Sequence, residues 1–331
     1  MPAIRRILVA IRALDAKSLP ALLKAAQIAR SCGAQIELYH GLDTPVYADL
    51  DGLGDLSPRA LERDLQQRAV RRLHAIADRL RQHTNKVSVC AEWDYPAYEA
   101  IVRRALRIRA DLIVASAHAG RHRFPALMRL TDWELIRLSP IPVLLVKNPR
   151  PYNRPAVLAA VDPTHTFAKP LQLDKLILQM ARKLSHGLRG SLHAVHAYPR
   201  VRIDNLPVTA LTPALIRTIE RDAERSAKVS FDRALRSTRV SRSHRYLIAR
   251  DPIDAIAEAA QRSRSAVVVM GAISRSGIKR LLIGNTAERV LDELRCDVLI
   301  VKPPKFRNRV PRAARGVRLL ASMPTDSLGY Y

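Results

Sequence analysis

The chain of 331 residues is 48% apolar and 26% charged, a composition that fits roughly two packed domains and excludes a mainly disordered polymer. Charge is the outlier: 56 Lys and Arg against 30 Asp and Glu give a formal net charge of +26, divided as +9 over residues 1–150 and +17 over residues 151–331. No apolar run approaches the roughly 18–20 residues that span a bilayer, and the opening segment lacks the long apolar stretch and cleavage site of a signal peptide.

In chain order, the Ile- and Val-rich run between Arg6 and Arg12 reads as a buried strand. Apolar residues at helical spacing fill Leu19–Cys32 and stop before Gly33. A strand follows at Gln35–Gly41, a long basic helix at Ser57–His83, a strand at Lys86–Ala91 and a helix at Pro96–Arg109. Leu112–Ala117 is a strand, Thr131–Leu138 a helix, and Val143–Lys147 closes the unit. The same succession then begins again. Strands are expected at Ala156–Val161, Ser191–Ala197, Arg245–Ala249, Ala266–Met270 and Val298–Lys302. Helices are expected at Ala168–His186, Thr212–Arg236, Pro252–Arg262 and Asn285–Leu294.

Four landmarks recur at nearly one offset. Ser57-Pro58 and Thr212-Pro213, each a side-chain cap before a proline at the first helical position, lie 155 residues apart. The runs Asp111–Ala117 and Ala266–Ala272, and Pro142–Asn148 and Asp297–Pro303, repeat at 155; Pro96 and Pro252 repeat at 156. The chain therefore reads as a duplicated unit: domain one over 1–150, domain two over 151–304, and a basic, flexible tail over 305–331. From Lys302 to Arg318 there are seven basic residues and no acidic one.

Continuous apolar strands alternating with helices argue for an α/β fold: two tandem doubly wound parallel five-stranded sheets, Rossmann-like, of order 2-1-3-4-5 or 3-2-1-4-5. Ligands of such sheets bind beyond the carboxyl ends of the strands, where the strand order reverses. After the fourth strand of the second unit come Gly271, Ser274, Gly277, Gly284, Asn285 and Thr286, with Arg275, Lys279 and Arg280 among them. Glycines after a strand and a capped helix start suit an anion, because backbone N–H groups approach it closely and the helix dipole favours it. A glycine-rich turn with an ordinary helix cap would look the same.

The run GNTAERVLDELRCDVLIVKP, Gly284 to Pro303, and the run TDWELIRLSPIPVLLVK, Thr131 to Lys147, resemble the universal stress protein family in its tandem-domain form. Ala197-Tyr198-Pro199 and Leu206-Pro207 agree, and the resemblance extends over about residues 3–304. It implies a nucleotide-type loop, Gly-x2-Gly-x9-Gly-(Ser/Thr), on Gly271, Ser274, Gly284 and Asn285. Ser274 and Asn285 depart from that pattern, and in the first unit the loop falls on Ser116, Ala119, Arg129 and Leu130 and is lost. It also implies an Asp after the first strand to receive a nucleoside. Asp162 stands there in the second unit and Arg12 in the first. The expected ligand, ATP or another anionic molecule, thus belongs to the second unit, on Asp162, Gly271, Ser274, Gly277, Gly284, Asn285 and Thr286. Because single-domain members of the family dimerise, the resemblance implies a pseudo-dimer with the two fifth strands adjacent.

Other candidates carry less. His193 and His196 are three apart on a strand and face opposite ways, which suits packing rather than a shared metal. His118 and His122 flank the lost loop beside Arg121 and Arg123, and Trp93 and Trp133 read as packing residues. Ser274, Ser276 and Thr286 are hydroxyls in reach of modification. Three scattered cysteines, Cys32, Cys90 and Cys296, suit neither a disulfide framework nor a zinc site. A nucleophile elbow and a Walker Gly-Lys-Ser/Thr are absent. The expectation is a non-enzymatic cytoplasmic stress-response protein, with slow ATP hydrolysis ranked last and homodimerisation left open. The alternative is a protein that binds RNA or anionic lipid through its basic surface and tail, since cationic excess attracts polyanions. Arginines spread over solvated helix faces would give the same net charge.

Overall fold

A computed structural model describes residues 4–16, 18–42, 47–48, 58–81, 86–117, 125–164, 171–198, 212–271, 293–304, 306–315 and 320–321. The first half contributes β1 (Arg6–Ala10), α1 (Pro20–Cys32), β2 (Gln35–Leu42), β3 (Tyr47–Ala48), α2 (Pro58–Arg81), β4 (Val87–Trp93), α3 (Ala97–Arg107), β5 (Leu112–Ser116), α4 (Pro125–Leu138) and β6 (Val143–Val146). The second contributes β7 (Ala156–Val161), α5 (Leu171–Gly187), β8 (Ser191–Tyr198), α6 (Pro213–Leu235), β9 (Arg245–Ala249), α7 (Pro252–Arg262), β10 (Val267–Gly271) and β11 (Asp297–Val301). A last short strand, β12, spans Leu320–Ala321.

Ten of these strands form one continuous sheet, ordered β4-β2-β1-β5-β6-β11-β10-β7-β8-β9. Each half is the 3-2-1-4-5 arrangement, parallel throughout. The halves meet where β6 and β11 pair antiparallel, Val298 opposite Leu145 and Ile300 opposite Val143. The fifth strands are adjacent, as the duplication implies. Strands such as Val143–Val146 and Asp297–Val301 are buried at every position, because helices cover both faces of the sheet. One layer of core packs under α1, α2, α5 and α6 and the other under α3, α4 and α7. Each layer draws side chains from both halves, so the apolar interior is unbroken at the joint.

A buried polar knot reinforces that joint. Lys24 of α1 donates to the Asp297 carboxylate at 2.5 Å and to the Asn148 carbonyl at 2.6 Å. Tyr152 donates its hydroxyl to Asp297 Oδ2 at 2.7 Å, and the Lys147 and Asn148 amides donate to Oδ1 at 2.9 and 3.0 Å. Lys24 and Asp297 are fully buried. Removing one partner of such a pair strands the other charge and costs about 3–5 kcal/mol.

The local signals act as expected at several helix starts. Thr212 accepts from the Leu215 amide at 3.2 Å, and Asp251 accepts from the Ile253 amide at 3.0 Å ahead of Pro252. Helix α4 begins at Pro125, earlier than the Thr131 read from apolar spacing; a proline is well suited to a helix start. No helix among the described residues is long and apolar enough to cross a membrane.

Residues 306–315 correct the expectation of a flexible tail. Val310 is buried at 5% exposure, in the layer shared with α3 and α4. The Pro311 carbonyl accepts from Arg103 at 3.3 Å, the Arg315 amide donates to Asp94 at 3.1 Å, and the Arg315 guanidinium reaches Glu99 at 3.1 Å. Arg103 itself is clamped by Asp94 and Glu99 at 2.7 and 2.8 Å. The segment therefore runs as a strap from the end of β11 back over the first half, and β12 pairs with β3. Its composition promises solvation; its acidic partners lie some two hundred positions earlier in the chain.

Candidate functional site

In the second half the strand order reverses between β7 and its neighbour β10. Asp162 follows β7 at this point and is 5% exposed. Its amide donates to Asp174 Oδ1 at 3.1 Å, and the Thr164 hydroxyl donates to Asp162 Oδ1 at 3.0 Å. Asp174 stands in the first turn of α5 and is equally buried, a place where the helix dipole favours a carboxylate. Asp162 Oδ2 is buried with no hydrogen-bond partner among the described residues.

His196 completes the surroundings. It is fully buried on β8, paired with Val161 in the sheet, and its Nδ1 faces the Val161 carbonyl at 3.3 Å. The carbonyl can only accept, so Nδ1 carries the proton. The first half repeats the device: His40 Nδ1 faces the Ile11 carbonyl at 2.8 Å. His40 and His196 are 156 apart, and this spacing was the available signal that His196 belongs at the site. Asp174 and Thr164 carried no such signal.

Gly271 closes β10, but its missing side chain serves packing. A Cβ there would come within 2.5 Å of Leu173 Cδ2 and 3.3 Å of Ile177 Cδ1, both on α5. The glycine lets α5 cross close to the sheet, and that is a different task from the anion cradle read from the sequence. Ser274, Gly277, Gly284, Asn285 and Thr286, with Ser276, lie outside the described residues, as do His118 and His122. In the first half Arg12 occupies the position after β1 and is exposed, so the buried acceptor of the second half has no counterpart there.

His193 stacks on His244 with ring centroids 3.9 Å apart and lies 2.9 Å from the Ser191 hydroxyl. Burial, with His244 beside it, pulls its pKa down to about 4, so the ring packs as a neutral group. Trp93 donates to the Glu62 carbonyl at 3.1 Å and thereby ties α2 to β4. Among the described residues no three His, Cys, Asp or Glu side chains gather as a metal site.

Two doubly wound units fused edge to edge, with a buried carboxylate at one order reversal, define a tandem α/β architecture. The universal stress protein family profile matches residues 3–147 and 157–302, and the chain belongs to that family. It is a tandem-domain member similar to universal stress protein E of Escherichia coli (strain K12), 29% identical over 230 residues that cover 68% of this chain and 71% of the relative. A functionally unknown protein from Pseudomonas aeruginosa PAO1 has a similar crystal structure, with 27% identity, TM-score 0.67, and coverage of 91% of this chain and 94% of that one. A universal stress protein from Archaeoglobus fulgidus DSM 4304 shares the fold at 14% identity and TM-score 0.59, covering 89% of this chain and 98% of its own.

Proposed function

We propose that this stress-response family member is a binder rather than a catalyst, and that it takes one nucleotide such as ATP in its second domain, residues 151–304. The observation that carries this reading is Asp162 Oδ2, a buried carboxylate oxygen without a donor among the described residues, at the strand-order reversal. Leaving such an oxygen unpaired costs about 1–3 kcal/mol, and more for a charged group. An N–H or O–H of a nucleoside would recover that cost. Thr164 and Asp174 hold the residue in place by its other oxygen and its amide. The anionic end of the ligand then falls to Ser274, Gly277, Gly284, Asn285 and Thr286, which follow Gly271 in the sequence. The domain of residues 1–150 contributes structure rather than a second pocket. Occupancy shifts the balance between two states of a partner-facing surface and needs no turnover. Action in the cytoplasm is part of the same proposal.

Calorimetry with ATP tests it. Saturable binding in the millimolar range or tighter is expected for the full chain and is lost in Asp162→Ala. No saturable heat from the wild type, or unchanged affinity in the variant, contradicts it.

A further inference from the structure

Among the described residues, five other than glycine adopt the left-handed backbone region, and all five are arginines: Arg109, Arg154, Arg189, Arg239 and Arg264, at φ of 54°, 43°, 54°, 55° and 48°. All five are exposed. Three of them end helices. The amides of Ala110, Gly190 and Ser265 reach back to the carbonyls of Ala105, Ser185 and Ala260 at 2.8, 2.7 and 2.9 Å, a closure in which glycine is the usual residue. The first half shows glycine meeting the same need. Gly33, at φ 69°, ends α1 with the Ala34 amide on the Ala29 carbonyl at 3.0 Å. Arg189 ends α5, the counterpart of α1 in the repeat. Backbone geometry therefore accepts glycine here and does not ask for a long cation.

Four of the five line one edge of the molecule. Arg264, Arg154 and Arg189 lie in the turns just before β10, β7 and β8, and Arg239 precedes β9 with the 3-10 turn Arg242–His244 in between. Those strands are neighbours in that order, so the arginines follow one another along the amino end of the second half-sheet. At a strand spacing of about 4.8 Å, the row extends over about 14 Å. The nearby carboxylates of Asp232 and Glu258 are engaged by Arg245, Arg250 and Arg262. None of the four arginines has an ion-pair partner among the described residues. Arg236 and Arg242 add exposed charge to the same edge. The exposed large apolar side chains, such as Leu215 and Val229, lie elsewhere than these turns. The row therefore has no apolar wedge of the kind that seats a membrane-surface segment, and the rings at this edge, His193, His244 and Tyr246, stack on one another.

We propose that this arginine row grips the phosphodiester backbone of a nucleic acid without regard to sequence. Guanidinium groups match phosphate geometry, and a line of them with nothing that reads a base edge gives affinity without specificity. The proposal is independent of Asp162, which follows β7 at the opposite, carboxyl end of the same half-sheet.

The test uses the full chain and a fluorescently labelled random-sequence DNA duplex, titrated between about 50 and 200 mM salt. The variant Arg154→Gly/Arg189→Gly/Arg239→Gly/Arg264→Gly keeps residues that tolerate the left-handed backbone. A control with the same net charge replaces Arg59, Arg71, Arg72 and Arg79, all exposed on α2, by Gln. The row variant is expected to lose at least about tenfold in affinity at low salt, and its log–log salt slope to flatten by about 0.9 per arginine engaged. The control is expected to change far less. The single variants Arg154→Gly and Arg189→Gly each flatten the slope by about 0.9 and stand in if the fourfold variant misfolds. Equal losses in row variant and control, no binding by the wild type, or tighter binding to phosphatidylserine vesicles than to duplex would each overturn the proposal. ATP affinity measured in the same row variant is expected to be unchanged.

Discussion

Lys302 follows β11 with its side chain buried, its ammonium 4.6 Å from the centre of the Phe306 ring and 3.4 Å from the Arg137 carbonyl. Burial brings its pKa down to about 7 from an ordinary value of 10.5. Between those two values the unfolded chain holds a proton that the folded chain has shed. Folding stability therefore rises with pH across the window from about 7 to 10.5 and is lost as pH falls through it. Lys302→Met removes the titrating group. The stability of the wild type relative to this variant is expected to climb by up to about 1.4 kcal/mol per pH unit in that window. Urea melts at a series of pH values measure it, and a difference that stays flat from pH 7 to 10 contradicts the account. The same residue scale explains why the site was only half legible. Asp162 was named because the family resemblance implies an Asp after the first strand, and it is buried there. That Gly271 also lets Leu173 press close to the sheet was not legible, since only coordinates reveal that contact.

At the scale of elements, the strap of residues 306–315 is held by one apolar side chain and a few polar contacts. Burying Val310 is worth about 1.5–3 kcal/mol, whereas the half-exposed Arg315–Glu99 pair contributes at most about 1 kcal/mol. Truncation after Pro304 is therefore expected to lower stability by a few kcal/mol, Val310→Asp to reproduce most of that loss, and Arg315→Ala little of it. Denaturant unfolding decides the matter; a truncated chain as stable as the full one would show that the strap does not pack. Sequence periodicity could not find this element, because an irregular segment has no period and its docking partners Asp94, Glu99 and Arg103 belong to the other half. Among the described residues the strands and helices, in contrast, were legible almost throughout; residues 285–292 of the helix expected at Asn285–Leu294 lie outside them. Their apolar spacing, the proline at helix starts and the cap Thr212 all pointed one way, and agreement across such local signals is what makes a fold readable.

At the scale of the whole molecule, duplication followed by divergence has left two halves with one backbone plan and different chemistry. Edge-to-edge pairing of β6 with β11, backed by the Lys24–Asp297–Tyr152 knot, makes a single interior. Within it the position after the first strand is an exposed arginine in one half and a buried aspartate in the other. A ligand that needs the buried aspartate therefore binds in the second half alone. Hydrogen–deuterium exchange of the full chain with and without saturating ATP tests it most directly. The account predicts slowed exchange around Asp162–Thr164 and the start of α5, with no change around Ile11–Arg12 and the start of α1. Protection in both halves, or in the first alone, would contradict it.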